Sequence, residues 1–118
     1  MPKKKKGSST SKILIVVILI AVVAVAFVAW HDGKIAVTPL GDINDFTVDS
    51  GTAVRVRGTI TAIILTGVTI NDGTGGVLFN WPDAASLTLN SIVVVTGEVF
   101  SPHILTDVTS VTPIWVFA

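Results

Sequence analysis

The sequence contains no cysteine, no tyrosine and only two histidines among its 118 residues. The absence of cysteine excludes disulfide bonds, thiolate metal sites and a cysteine nucleophile. His31 follows a long apolar run and His103 lies in a predicted turn beside a proline. Neither stands in a serine and carboxylate pattern that is typical of a catalytic site. We therefore expect a protein that is not an enzyme, with no catalytic residue and no cofactor.

Oxygen ligands for a metal are present but wrongly spaced. Asp42, Asp45 and Asp49 lie in one predicted loop, where carboxylates could bind calcium. An EF-hand loop beginning at Asp42 requires Asp or Asn at its fifth position and Gly at its sixth. Phe46 and Thr47 occupy these positions. The pattern predicts a turn and no metal site.

Charged residues make up only 14% of the chain and are unevenly distributed. Five lysines, Lys3–Lys6 and Lys12, precede an uncharged run at Ile13–Trp30. Three basic residues and all eight acidic residues follow that run, which gives the remainder a net charge of −5. As a helix the run would be roughly 27 Å long, close to the hydrocarbon thickness of a bilayer.

These features predict one transmembrane helix at 13–30 in contact with membrane lipid, between a basic cytoplasmic tail at 1–12 and a linker at 31–49. The positive-inside rule then places the chain in the cell membrane as a single-pass protein. Its N-terminus would be cytoplasmic and its C-terminal domain extracytoplasmic.

Two other interpretations of the apolar run remain open. A cleaved signal peptide has a similar layout, and Ala24–Ala26 is a small-x-small cleavage site. Lys6-Gly7 before an apolar helix resembles the processing site of type IV pilin precursors, whose helix forms a filament core. The residues that follow Gly7 are polar here, and no glutamate stands near the new terminus.

Residues 50–118 are predicted to be all-β, with a short helical turn or loop at 84–90. The segment is rich in Val, Ile and Thr, and turn signals recur about every 8–12 residues. Five strands are predicted, at 54–62, 68–71, 77–81, 92–100 and 104–111, followed by an apolar tail at 114–117. Gly58 in the first strand predicts a bend or bulge. The turn at Asp72–Gly76 requires positive φ angles.

Three segments resemble OB-fold domains, both the anticodon-binding type and small periplasmic bacterial members. They read VRVRGTIT, INDGTGGVLFNW and NSIVVVTGEV, in that order. The resemblance implies a small five-stranded barrel preceded by the N-terminal helix. The layout is also similar to the haem chaperone of cytochrome c maturation. However, the last segment here, TPIWVFA, has neither the histidine nor the tyrosine of the haem site.

Four residues are candidates for ligand contacts. Arg55 and Arg57 share the outer face of the first strand, and Trp81 and Trp115 are candidate aromatic contacts. Phe79 and Trp81 have the same alternation as Val77, which favours a place in the core. OB-folds often bind single-stranded nucleic acid, but a net charge of −5 repels phosphate, so we do not expect nucleic acid as a partner.

The sequence therefore predicts a non-catalytic, membrane-anchored extracytoplasmic interaction module with a protein partner, such as an accessory subunit of a membrane complex. The alternatives are a single-stranded nucleic-acid-binding OB domain, a haem-chaperone-like protein and a pilin-like filament subunit.

Overall fold

The computed structural model of the chain describes the backbone of residues 2–118 and the side chains of residues 10–118. One long helix precedes a small barrel that contains a second, short helix. The elements are α1 (Pro2–His31), α2 (Leu40–Asn44), β1 (Ala53–Ile64), β2 (Gly67–Asn71), β3 (Gly76–Asn80), a 3₁₀ turn (Ala84–Ser86), β4 (Ile92–Ser101) and β5 (Ile104–Pro113). All five predicted strands are confirmed, as is the short turn after β3.

The strands close into a barrel in the order β1-β2-β3-β5-β4. Neighbouring strands are antiparallel except β3 and β5, which meet in a parallel pairing of Leu78 with Ile104. The long strand β1 pairs with β4 through its first half and with β2 through its second half. It can serve two neighbours because it is 12 residues long.

Alternation along the strands determines which side chains form the core. Val54, Val56 and Ile60 on β1 are buried, whereas Arg55 and Arg57 point outward and are half-buried. Phe79 on β3 is only 2% exposed, which confirms its predicted place in the core. A barrel of this size has room for one layer of inward side chains, so its stability rests on these apolar positions.

Three local features differ from the prediction. The helix α2 lies in the segment expected to be linker, and its Leu40 and Ile43 are buried in the core. The irregularity in β1 falls between Ile60 and Ala62 rather than at Gly58. Gly58 instead allows close approach, since a Cβ there would lie 3.1 Å from the Cβ of Ile70.

The first helix extends beyond the predicted span at both ends, from Pro2 to His31. Its apolar side chains from Ile13 to Phe27 are exposed to more than half of their surface. Thr10–His31 is long and apolar enough to cross a membrane, by length and composition only. A signal sequence near an N-terminus meets the same criteria.

Candidate nucleic-acid interface

The residue that follows α1 holds the C-terminal tail. Asp32 is completely buried, and its carboxylate accepts backbone hydrogen bonds from Trp115, Val116 and Phe117 at 2.6, 2.7 and 2.8 Å. His31 Nδ1 lies 2.8 Å from the same carboxylate. The apolar tail, which could have been free to dock on a partner, is therefore fixed at the end of α1. We call Asp32 with residues 115–117 the tail clasp.

Two opposing effects set the ionisation of Asp32. Burial raises the pKa of a carboxyl group, because it disfavours the charged form. The hydrogen bonds from Phe117, Trp115, His31 and Val116 favour the charged form and outweigh burial, so the pKa of Asp32 lies well below its ordinary value. The clasp is thus built for an ionised carboxylate.

Aromatic rings surround the clasp. The rings of His31 and Trp115 are stacked, with centroids 3.3 Å apart and planes 10° from parallel. Phe27 lies 6.0 Å from Trp115 and 6.2 Å from Trp30, measured between ring centroids. Trp115, a predicted ligand contact, is 60% exposed on the outside of this cluster.

Arg55 binds the end of the long helix. Its guanidinium donates hydrogen bonds to the carbonyl oxygens of Trp30 and His31 and lies 4.3 Å from the centre of the Trp30 ring. These carbonyls are among the last of α1, where a cation is favourable, and the Trp30 carbonyl also accepts a hydrogen bond from the backbone nitrogen of Gly33 at 3.2 Å. Burial lowers the pKa of Arg55, but a guanidinium remains charged.

Arg57 lies beside the tail. One of its terminal nitrogens donates to the carbonyl oxygen of Phe117, while its Nε is buried and has no hydrogen-bond partner among the described residues. Gly33 packs on its aliphatic stem, where a Cβ would lie 3.0 Å from the Cβ of Arg57. The two predicted arginines therefore lie together on one face, and the chain's own backbone partly covers both.

Arg57 also lines a groove with a volume of about 590 Å³. We call it the Arg57 groove. Its other walls come from β1, from the turn between β2 and β3 and from the segment after α1, which contributes Gly33 and residues 37–39. They include Gly58, Thr59, Thr61, Asn71 and the turn at 72–74.

One carboxylate, that of Asp72, lies in this groove. It accepts hydrogen bonds from the backbone nitrogens of Leu40 and Thr74 and from the Thr74 hydroxyl. Burial raises the pKa of Asp72, but these bonds outweigh it, with the Thr74 side chain contributing most, and the pKa lies below its ordinary value. Gly73 in this turn has φ +89°, which confirms the predicted need for positive φ. The carboxylate of Asp72 is thus already hydrogen-bonded to α2 and to the turn between β2 and β3.

The fourth predicted ligand contact, Trp81, is partly buried and packs against the barrel core. It lies apart from the arginine face. Sequence reasoning missed Asp32 and Trp30 as members of the site. A signal was present for Asp32, because an acidic residue directly after a helix is unfavourable unless something compensates its charge.

Comparison with known proteins identifies the fold. No model of a protein family matches the chain, and no curated protein matches its sequence. Among solved structures, it is similar to a chain of the S. pombe Stn1–Ten1 complex, with a TM-score of 0.60 and 17% identity over 70% of this chain and 78% of that one. It is also similar to the telomere capping protein Ten1 of S. pombe, with a TM-score of 0.56 and 18% identity over 66% of this chain and 79% of that one.

These similarities correct part of the sequence-based interpretation. The matched structures are the Stn1–Ten1 complex and a telomere capping protein, so they contradict the prediction of a membrane-anchored extracytoplasmic module and the localisation derived from it. That prediction rested on one apolar run and its flanking charges, which establish length and composition only. The expectation that nucleic acid is an unlikely partner, drawn from net charge, conflicts with the same finding, and the resemblance to a haem chaperone gains no support. The chain has an OB-like fold: a five-stranded barrel preceded by a long helix.

Proposed function

We propose that this chain is a non-catalytic OB-fold domain that binds single-stranded nucleic acid through the Arg57 groove. The observation that carries the proposal is the groove itself, an open channel on the outside of the barrel with hydroxyl and amide side chains beside one of the two arginines. The matched telomere proteins, with the same fold, support this class of function over the alternatives left open by the sequence.

The groove offers donors suited to a nucleic-acid backbone. Arg57 supplies a guanidinium, the group that best matches phosphate geometry. The amide oxygen of Asn71 accepts a hydrogen bond from Gly73, which leaves its amide nitrogen directed elsewhere as a donor. Thr59 contributes a further hydroxyl. A single strand in this groove would meet hydrogen-bond donors along one wall.

The net negative charge of the residues after α1 limits how much phosphate contacts contribute to the affinity for nucleic acid. Only Lys34, Arg55 and Arg57 follow the helix, against eight acidic residues. Two of those acids, Asp32 and Asp72, are already held by backbone amides. We therefore expect modest affinity with a shallow salt dependence, in contrast to the steep dependence of proteins that contact many phosphates.

The test is the binding of a short labelled oligothymidine to the full chain, followed by fluorescence anisotropy. Mild detergent is required because the apolar face of α1 is exposed. Arg57→Gln should weaken binding roughly tenfold or more, the usual cost of losing a charged hydrogen bond. Lys12→Gln removes the same charge on the helix and should leave binding unchanged. Absence of binding by the unaltered chain would overturn the proposal.

A protein partner is a second candidate. Leu78 on β3 pairs with Ile104 on β5, and the two side chains remain 46% and 38% exposed. Leu65, which lies in the turn before β2, is 90% exposed. One of the matched structures is a complex of two proteins. Affinity purification of the chain from its own source should then recover one stoichiometric partner. Leu78→Ser should release that partner without unfolding the barrel.

A further inference from the structure

A second groove, with a volume of about 330 Å³, lies between the end of α1 and the outer face of β4 and β5. We call it the Trp30 groove. Its walls come from Trp30 and His31 on one side and from Arg55, Val94, Thr96, Ser110 and Thr112 on the other. It is separate from the Arg57 groove, because the two share no lining residue.

Strand register explains why these side chains form one surface. Arg55 is paired with Thr96, and Thr96 with Ser110, so the three form a row across β1, β4 and β5. Val94 and Thr112 are paired in the adjacent row. Residues two apart on a strand point to the same face, so both rows face outward. Val94 faces outward yet is only 3% exposed, since Gly33 packs directly on it.

The polar groups of this surface are free. Within residues 10–118, the hydroxyls of Thr96, Ser110 and Thr112 take part in no hydrogen bond, unlike those of Thr61 and Thr66. Each hydroxyl can donate one hydrogen bond and accept others. The groove therefore offers adjacent hydroxyls that can meet the polar edge of a ligand.

The aromatic wall is fixed in place. Trp30 is 45% exposed, and the guanidinium of Arg55 lies 4.3 Å from its ring centre. The same guanidinium is bound to the carbonyl oxygens at the end of α1. A ligand that binds in the groove would not need to order the Arg55 side chain, which reduces the entropic cost of association.

The charges around the groove do not favour a phosphate at its hydroxyl row. Glu98 lies on β4 at the next outward position after Thr96, so negative charge adjoins that row. The positive charge of Arg55 is already bound to the carbonyl oxygens of Trp30 and His31, and a neutral planar ring is compatible with both groups. An aromatic wall with hydroxyl groups opposite it suits a nucleobase, which stacks on its face and forms hydrogen bonds at its edge.

We infer that the Trp30 groove is a nucleobase subsite, in which one base of a bound single strand packs against Trp30 beside the Arg55 guanidinium and its edge bonds to Thr96 and Ser110. The inference rests on the proposed function, since it assigns a base-binding site to the same ligand. Arg55 and Arg57 are two positions apart on β1, roughly 7 Å, so one strand could reach both grooves.

The test compares two ligands of equal length, an oligothymidine and an oligomer with abasic sugars throughout. The full chain in mild detergent should bind oligothymidine more tightly. Trp30→Leu should weaken the binding of oligothymidine roughly 5- to 150-fold and leave the binding of the abasic oligomer nearly unchanged. The preference for bases would thus shrink, which a general loss of structure would not produce.

Two further variants keep the inference falsifiable if Trp30→Leu disturbs the end of the helix. The double variant Thr96→Ala, Ser110→Ala leaves every contact of the tail clasp in place and should lower the preference for bases about fivefold or more. Phe100→Leu removes an aromatic ring that is 61% exposed and lines neither the Trp30 groove nor the Arg57 groove, and it should keep the preference.

The outcomes separate the two proposals. If Arg57→Gln weakens binding but Trp30→Leu retains the full preference for bases, the subsite is wrong and the proposed function stands. If the unaltered chain binds neither oligomer, the proposed function fails and the subsite fails with it.

Discussion

The carboxylate of Asp32 lies 2.6 Å from the backbone nitrogen of Trp115, a residue 83 positions later in the chain. The same side chain accepts the next two backbone amides, so it fixes three consecutive residues of the tail. An anion is unfavourable at the C-terminal end of a helix. The tail amides compensate for that position, and the end of the chain becomes part of the junction between α1 and the barrel.

Replacing Asp32 with asparagine should release the tail. The amide nitrogen of asparagine would face backbone N–H donors, so at most part of the hydrogen bonding survives. We expect the amides of residues 115–117 to exchange with solvent at least about tenfold faster, while the amides of β1 and β4 remain protected. Hydrogen exchange measured residue by residue tests this. Asp49→Asn alters an exposed aspartate and serves as the control; equal protection of the tail in both variants would contradict the clasp.

The clasp should weaken in acid. The pKa of Asp32 is lowered in the folded chain, so its contribution to stability is present above the unfolded value of about 4 and is lost as pH falls through the folded value. Exchange of the tail amides should therefore stay slow at pH 5 and accelerate, relative to the barrel, only in strong acid. Asp45 and Asp72 also have lowered pKa values, so the difference between the native chain and Asp32→Asn isolates the contribution of Asp32.

Alanine substitutions at two glycines with similar φ angles should reduce the stability of the fold by different amounts. Gly33 has φ +75° and Gly73 has φ +89°. A Cβ at Gly33 would lie 2.9 Å from the Cγ2 of Val94, whereas a Cβ at Gly73 would have no neighbour within 4 Å. Gly73→Ala should cost about 1–2 kcal/mol, the strain of the left-handed conformation alone. Gly33→Ala should cost more in chemical denaturation, and equal costs would argue against close packing at the helix end.

Alanine substitutions at two adjacent residues of β3 should lower the free energy of unfolding by different amounts, because one residue lies in the core and the other on the surface. Phe79→Ala should lower the free energy of unfolding by about 3–5 kcal/mol, because the ring is 2% exposed inside the barrel. Leu78→Ala, one position away and 46% exposed, should cost less than about 1 kcal/mol. Urea unfolding followed by tryptophan fluorescence measures both. A small effect of Phe79→Ala would point instead to a ring available for ligands.

The salt dependence of oligothymidine binding should be shallow. If a strand contacts only the three basic residues that follow α1, the slope of log K against log salt should be no steeper than about −2. Arg57→Gln should reduce the magnitude of this slope by about 0.7. Lys12→Gln is the charge-matched control. A much steeper slope would show that the N-terminal lysines, rather than the barrel, hold the nucleic acid.

The strands could be predicted because their signals are local. Alternation in β1 and turn residues such as Gly73 specify strands and reversals without knowledge of distant contacts. The helix α2 was missed because its short segment gains stability from burying Leu40 and Ile43 in the barrel, a tertiary effect. The bulge was misplaced because Gly58 permits close approach to Ile70 instead of bending the strand.

The site was only partly predictable for the same reason. Arg55 and Arg57 could be assigned to one face from their spacing, but their partners at Trp30, His31 and Phe117 are remote in sequence. The role of Trp30 depends on how the end of the helix meets β4 and β5, which no local pattern indicates. Net charge counts Asp32 and Asp72 with the other acidic residues and does not indicate that backbone amides bind both carboxylates.

The partners of Asp32 also set an order on folding. The clasp joins the residue that follows α1 to residues 115–117, which lie 83 to 85 positions later in the chain. Closing a loop of this length directly has a large entropic cost, because the ends of a long flexible chain rarely meet. The barrel lowers that cost, since β1 pairs with β4 and β4 pairs with β5, which brings the residues before and after the sheet together. Attachment of the helix to the barrel is therefore a late step in folding that depends on a barrel already formed.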